Sequence, residues 1–131
     1  MASHGSGTFK GMSWDEQSYI EVADGPKLSR ASVTNTYSGV IEGEGTLEYL
    51  LMYRADGSCP FVGAERIVGS VHGRAGSFVL RHDGEFAQET AATTLTVVEG
   101  AGTGELANLR GTGKFAATHE NMEYTFDYEF V

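Results

Sequence analysis

The stretch Tyr124-Thr125-Phe126-Asp127-Tyr128-Glu129-Phe130 sets an aromatic ring and a polar side chain at alternate positions. That period of two is the mark of a strand with one face in a core and the other in water. Upstream, strand-like stretches occupy roughly residues 7–13, 28–41, 46–54, 61–71, 77–85, 90–98 and 111–119, separated by Gly-rich turns. With the terminal stretch they make eight strands. Residues 14–19 and 104–110 have room for single helical turns, too short for the crossovers that parallel strands require. The connections are therefore expected to be hairpins and the sheet antiparallel. Eight such strands form either a sandwich or a closed barrel, and closure removes the edges that invite aggregation.

Composition agrees with an all-β chain. In 131 residues there are 18 Gly, 2 Pro, 6 Tyr and 7 Phe, a mixture that makes tight turns and favours strands. The length suits one domain spanning residues 1–131, with residues 1–6 expected to be flexible. Nine cations against 18 acids leave a formal charge of −9, and no basic stripe is present, so nucleic acid and anionic membranes are poor partners. Residues 1–7 lack the cationic and apolar regions of a secretory signal, and no apolar run approaches the ~18 residues of a membrane-spanning helix. A cytoplasmic location is expected.

Turn chemistry predicts which side chains meet, because a two-residue turn fixes the register of its strands. With Arg74-Ala75 as a turn, Glu65, Ile67, Val71, Phe78, Leu80 and His82 share one face, which the apolar members mark as the interior. With Asp56-Gly57 as the preceding turn, Met52 falls opposite Phe61, Leu50 opposite Gly63 and Glu48 opposite Glu65. Glu48, Glu65 and His82 then converge inside. Two carboxylates ~5 Å apart at an effective dielectric near 20 repel by about 3 kcal/mol, equal to about two pKa units. One is expected to hold a proton near neutrality. Such a pair acts as general acid and base, with His82 as relay or counter-charge. The competing reading is structural: buried Glu and His also simply satisfy one another, and a one-residue slip would send Glu48 or His82 outside.

Around these three candidate catalytic residues, Trp14, Leu50, Met52, Phe61, Ile67, Phe78, Leu80, Tyr124 and Tyr128 are expected to contact a ligand. Trp14, beside Asp15-Glu16, reads as a lid or plug over one end. Phe115 and Ala117 should oppose the terminal aromatics if Glu120-Asn121 is the turn.

Other signals point away from familiar chemistries. Gly102-Thr-Gly-Glu-Leu-Ala107 matches a dinucleotide fingerprint in letters, but Gly111 and Gly113 follow too soon for the helix that fingerprint needs. His4, His72, His82 and His119 lack metal-ligand spacing, so no metal or other cofactor is expected. Cys59, the only cysteine, has no base or cation placed to activate it and reads as inert.

The phrases Leu28-Ser-Arg-Ala-Ser-Val-Thr34, Gly43-Glu-Gly-Thr-Leu-Glu-Tyr49, Phe61-Val-Gly-Ala-Glu-Arg66, Gly76-Ser-Phe-Val-Leu-Arg-His82 and Gly102-Thr-Gly-Glu-Leu-Ala-Asn-Leu-Arg-Gly111 resemble a bacterial family of domains of unknown function, over nearly the whole chain. That family is placed in the allene oxide cyclase-like barrel class. The resemblance implies a closed antiparallel eight-stranded barrel rather than a sandwich, and relatives that include cyclases acting by shaping a hydrophobic cavity. The resulting expectation is a barrel that binds a small hydrophobic molecule and moves a proton through Glu48, Glu65 and His82 in a cyclisation, isomerisation or proton-abstracting lyase reaction. The alternatives are a non-catalytic carrier or sensor and a structural homo-oligomer with a filled interior. Association into a homodimer or larger homo-oligomer is expected through the outer wall near Val68 and Val79.

Overall fold

Alternation carries the architecture. In the segment from Ser29 to Tyr37 the odd-numbered residues Ser29, Ala31, Val33, Asn35 and Tyr37 are all buried, while Arg30, Ser32 and Thr34 between them are exposed. The computed structural model describes residues 2–131. Its strands are β1 (Ser3–Glu21), β2 (Lys27–Gly39), β3 (Ile41–Tyr53), β4 (Cys59–Val71), β5 (Arg74–Ala87), β6 (Thr90–Val97), β7 (Thr103–Gly104), β8 (Leu109–Ala117) and β9 (Glu123–Phe130). All pairings are antiparallel. Eight strands follow one another as β1-β2-β3-β4-β5-β6-β8-β9, and β9 returns to β1, so the sheet curls into a barrel-like ring. The two-residue β7 lies on the start of β5.

Several details differ from the reading of the sequence. Residues 14–19 continue β1, which bulges near Met12 and Tyr19, and do not form a helical turn. Ser3–Ser6, expected to be loose, pair with Tyr128–Thr125 of β9. The β4–β5 turn is His72-Gly73, with φ of 49° and 80°, the left-handed pair a type I′ hairpin turn demands. Val71 therefore faces Arg74, and Ile67 faces Phe78 rather than His82. The turn lies two residues earlier than Arg74-Ala75, and an even displacement leaves every side chain on its expected face.

The β3–β4 connection behaves differently. Arg54 N–H donates to Ser58 O at 2.8 Å, leaving a loop of three residues, Ala55-Asp56-Gly57, in which Gly57 has φ of 91°. Asp56 Oδ1 accepts from Ser58 N–H at 2.9 Å and holds the bend. An odd loop displaces the register by one, so Glu48 faces Ala64, Leu50 faces Val62 and Leu51 faces Phe61. Leu47, Tyr49 and Leu51 point inward, and Glu48, Leu50 and Met52 point out.

Two apolar clusters fill the ring. The larger contains Ile41, Ile67, Phe78, Leu80, Leu95 and Phe126; the smaller is built around Val33, Leu47, Tyr49, Leu51 and Phe61. Tyr124 joins the larger cluster and carries a structural load: its hydroxyl accepts from Ile41 N–H at 3.0 Å and donates to Ser38 O at 2.9 Å, pinning the β2–β3 turn. Tyr124→Phe removes both bonds, takes from the buried Ile41 N–H its hydroxyl acceptor, and is expected to lower folding stability by about 1–3 kcal/mol, read by urea denaturation. A shift in denaturation midpoint too small to measure would show that the turn holds without this anchor.

Candidate functional site

Where the two clusters meet, three strands, β2, β4 and β5, each place a polar residue between apolar ones on the inner face: Asn35 between Val33 and Tyr37, Glu65 between Gly63 and Ile67, and His82 between Leu80 and Gly84. Among the described residues, Glu65 and His82 are the only buried members of the Asp, Glu, Lys, Arg and His set, at 0% and 1% exposure. Their burial is supportable because they are bonded. Glu65 Oε1 accepts from His82 Nε2 at 2.8 Å and from the Tyr37 hydroxyl at 2.6 Å; Oε2 accepts from Asn35 Nδ2 at 3.1 Å. On the far side of the imidazole, the Tyr49 hydroxyl donates to His82 Nδ1 at 3.2 Å. The carboxylate thus holds the tautomer with its proton on Nε2 and leaves Nδ1 as the basic atom. Burial, reinforced by the charge of Glu65, pushes the phenols of Tyr37 and Tyr49 well up from the ordinary tyrosine range.

Gly45 makes the carboxylate's position possible. It lies across β3–β4 from Ile67, and a Cβ there would overlap the Glu65 carboxylate.

Tyr49 and His82 border a cavity of about 440 Å³, with Glu65 bonded behind His82 and outside the lining. Its wall carries six rings in sequential contact: Trp14–Tyr49 at 5.8 Å between centroids, Tyr49–His82 at 5.5 Å, His82–Phe115 at 6.2 Å, Phe115–Phe9 at 4.8 Å and Phe9–Tyr37 at 5.8 Å. Trp14, 55% exposed, stands at the mouth. Its indole Nε1 donates to Glu16 Oε1 at 3.0 Å, and the Tyr53 hydroxyl donates to Glu16 Oε2 at 2.8 Å. The mouth exists because β9 pairs with β1 only from Ser3 to Thr8; past Phe9 N–H, which donates to Met122 O at 2.9 Å, the strands part.

The expected site residues divide clearly. Glu65 and His82 meet, and Trp14 lines the cavity. Glu48 does not join them: it lies on the outer wall, where Arg30 Nε donates to its Oε1 at 2.8 Å, and bonds from Ser32 and Arg30 hold its carboxyl below the usual range. The carboxylate pair is absent, and with it the repulsion that was to keep one of them protonated. Leu50 and Met52 are 47% and 38% exposed on the same outer wall. Ile67, Phe78, Leu80 and Tyr128 are packed in the larger cluster, away from the cavity wall, and Phe61 supports Tyr49 edge-on at 5.0 Å. Phe115 faces Tyr124 across β8–β9, because the turn falls at His119-Glu120 rather than one residue later. Asn35, Tyr37 and Tyr49 went unanticipated, although the inward alternation through Val33, Asn35 and Tyr37 was a readable signal.

Among the described residues no group of three or more His, Cys, Asp or Glu side chains is placed to hold a metal, and no helix is long and apolar enough to cross a membrane. Cys59 is 2% exposed, and burial raises its thiol above the ordinary range.

Fold and site together define a small all-β, barrel-like protein with a buried carboxylate–imidazole pair beside an aromatic cavity. The family model described as "Protein of unknown function (DUF3224)" matches residues 5–128, and the chain belongs to that family. The structure is similar to the 1.84 Å crystal structure of a protein with unknown function from the same family, from Shewanella oneidensis MR-1. The two are 30% identical with a TM-score of 0.81, and the alignment covers 100% of this chain and 99% of the other. No curated protein matches the sequence.

Proposed function

We propose that the protein binds a small, largely apolar molecule in the aromatic cavity and transfers a proton at His82 Nδ1, in an isomerisation, cyclisation or proton-abstracting elimination. One observation supports the reading: the only buried imidazole among the described residues is bonded at Nε2 to a buried carboxylate and at Nδ1 to the Tyr49 hydroxyl, and both His82 and Tyr49 belong to the cavity wall. A volume of about 440 Å³ falls within the usual range for small-molecule sites, and it argues against a wholly filled interior. In this assignment His82 is the base, Glu65 orients it, and Tyr49 covers Nδ1 until a ligand displaces its hydroxyl. The cyclases in the barrel class that the sequence resembles supply an analogy of fold alone.

Two measurements test the proposal. Trp14 is the sole tryptophan, so energy transfer from it to Nile red, an uncharged apolar dye, reports occupancy of this cavity. For the chemistry, a benzisoxazole serves as probe: the base takes the C3 proton, the N–O bond breaks, and a nitrile and a phenolate form. His82→Ala is expected to lower kcat/KM for this ring opening by about 100-fold, while Tyr49→Phe, which uncovers Nδ1, keeps at least the parental rate. Dye binding with a rate indifferent to His82→Ala would replace the enzymatic reading with that of a carrier. Absence of saturable dye binding would remove the cavity as a site.

A further inference from the structure

The cavity wall has an electrostatic character that apolar burial alone does not require. Six rings line it in unbroken contact, and neither Lys, Arg, Asp nor Glu is among its lining residues. Directly behind His82, Tyr37 and Asn35 lies the Glu65 carboxylate, with an imidazole, a phenol and an amide as its donors and no Lys or Arg in contact. At the mouth, Glu16 places a second carboxylate beside Trp14. The nearby cation Lys27 is engaged, its ammonium standing 4.3 Å from the centre of the Tyr53 ring.

An anion entering this space would meet neither a cationic side chain nor an uncommitted indole N–H, since the Trp14 donor is bound to Glu16. A cation would meet aromatic faces, which are electron-rich, and a carboxylate one layer behind them in a medium of low dielectric. The formal charge of −9 on the whole chain adds a field of the same sign.

We propose that the ligand of this cavity is a compact organic cation, a molecule bearing a tertiary or quaternary ammonium group, which the aromatic wall prefers over an uncharged molecule of the same shape. This assignment rests on the cavity being a binding site and specifies what that site selects.

The test is a matched pair of probes, choline and 3,3-dimethylbutan-1-ol, which differ in a quaternary nitrogen against a quaternary carbon. Each is titrated into the full chain at pH 8, above the ordinary imidazole range, and read by Trp14 fluorescence and by calorimetry, with Nile red as a competitor. The expected result is that choline binds at least tenfold more tightly than the alcohol. In Phe115→Leu, which keeps an apolar side chain but removes a ring face, the two affinities should converge through weakening of choline. If the alcohol binds as well as choline or better while Nile red still binds, cation selection is overturned and the apolar site stands. If neither probe nor Nile red binds saturably, the cavity reading fails as well.

Discussion

Glu65→Ala should lower the folding free energy by about 3–5 kcal/mol and the thermal midpoint by more than about 10 °C. The carboxylate is fully buried, and three donors depend on it: the Tyr37 hydroxyl, the His82 Nε2–H and the Asn35 amide. Alanine removes the common acceptor, leaves these donors unpaired where water does not replace it, and opens a void against Gly45. Glu65→Gln should fall between, because its amide can still accept from Tyr37 and His82 but turns a donor toward Asn35. Glu48→Ala is the natural control. The same residue type, seventeen positions earlier, sits on the outer wall in an exposed pair with Arg30, and such pairs contribute little. Differential scanning calorimetry of the three variants decides the matter. Equal midpoints for Glu65→Ala and Glu48→Ala would mean that the interior network does not hold the ring together.

The second large effect lies at alkaline pH. Burial and the adjacent Glu65 push the phenols of Tyr37 and Tyr49 well above 10 in the folded chain, whereas in the unfolded chain they titrate near that value. Above pH 10 the unfolded state therefore binds fewer protons than the folded one, and stability must fall as pH rises. The limiting slope is about 1.4 kcal/mol per pH unit for each phenol, or about 2.8 for the two together. Their contribution is fully present below pH 10 and is lost progressively toward the folded-state values. Urea denaturation from pH 8 to pH 11.5 should show a plateau and then this decline. Tyr37→Phe should lower the plateau, since Glu65 loses a donor, and shed one phenol's share of the slope, about 1.4 kcal/mol per pH unit at its limit, leaving that of Tyr49 and of Tyr53 and Tyr124, whose phenols burial also raises. A flat profile through pH 11.5 would show that these hydroxyls ionise freely in the folded protein.

Most of the fold was legible because face assignment tolerates even errors. The His72-Gly73 turn lies two residues from the expected place, yet Ile67, Phe78, Leu80 and His82 all fall inside as read. Glu48 shows the converse. Asp56-Gly57 is a strong hairpin signal, but the dipeptide does not reveal whether two or three residues make the loop. A single additional residue exchanged Glu48, Leu50 and Met52 for Leu47, Tyr49 and Leu51. The partner that Glu65 does have, Tyr37, sits on a strand that pairs with β3 and not with β4. Contact between strands that are not neighbours in the sheet depends on how the ring curves, which hairpin counting does not reach. Gly45, a bare position facing a buried carboxylate, is the sequence trace of that contact.

The β1–β9 ladder also bears on how the chain reaches its native form. Every other major ladder joins strands consecutive in the sequence or separated only by the two-residue β7, so a curled meander can grow hairpin by hairpin at small entropic cost. Joining Ser3–Thr8 to Glu123–Tyr128 closes a loop of nearly the entire chain, at a cost of about 4 kcal/mol in chain entropy for a flexible segment of that length. The shutting of the ring is therefore the natural last step and the one that slows folding. It also brings the two ends of the polypeptide side by side, so a short linker between them, with a new break at an exposed hairpin such as His72-Gly73, would make that closure local. The rearranged chain could retain the native ladders while reaching them by a route of lower contact order.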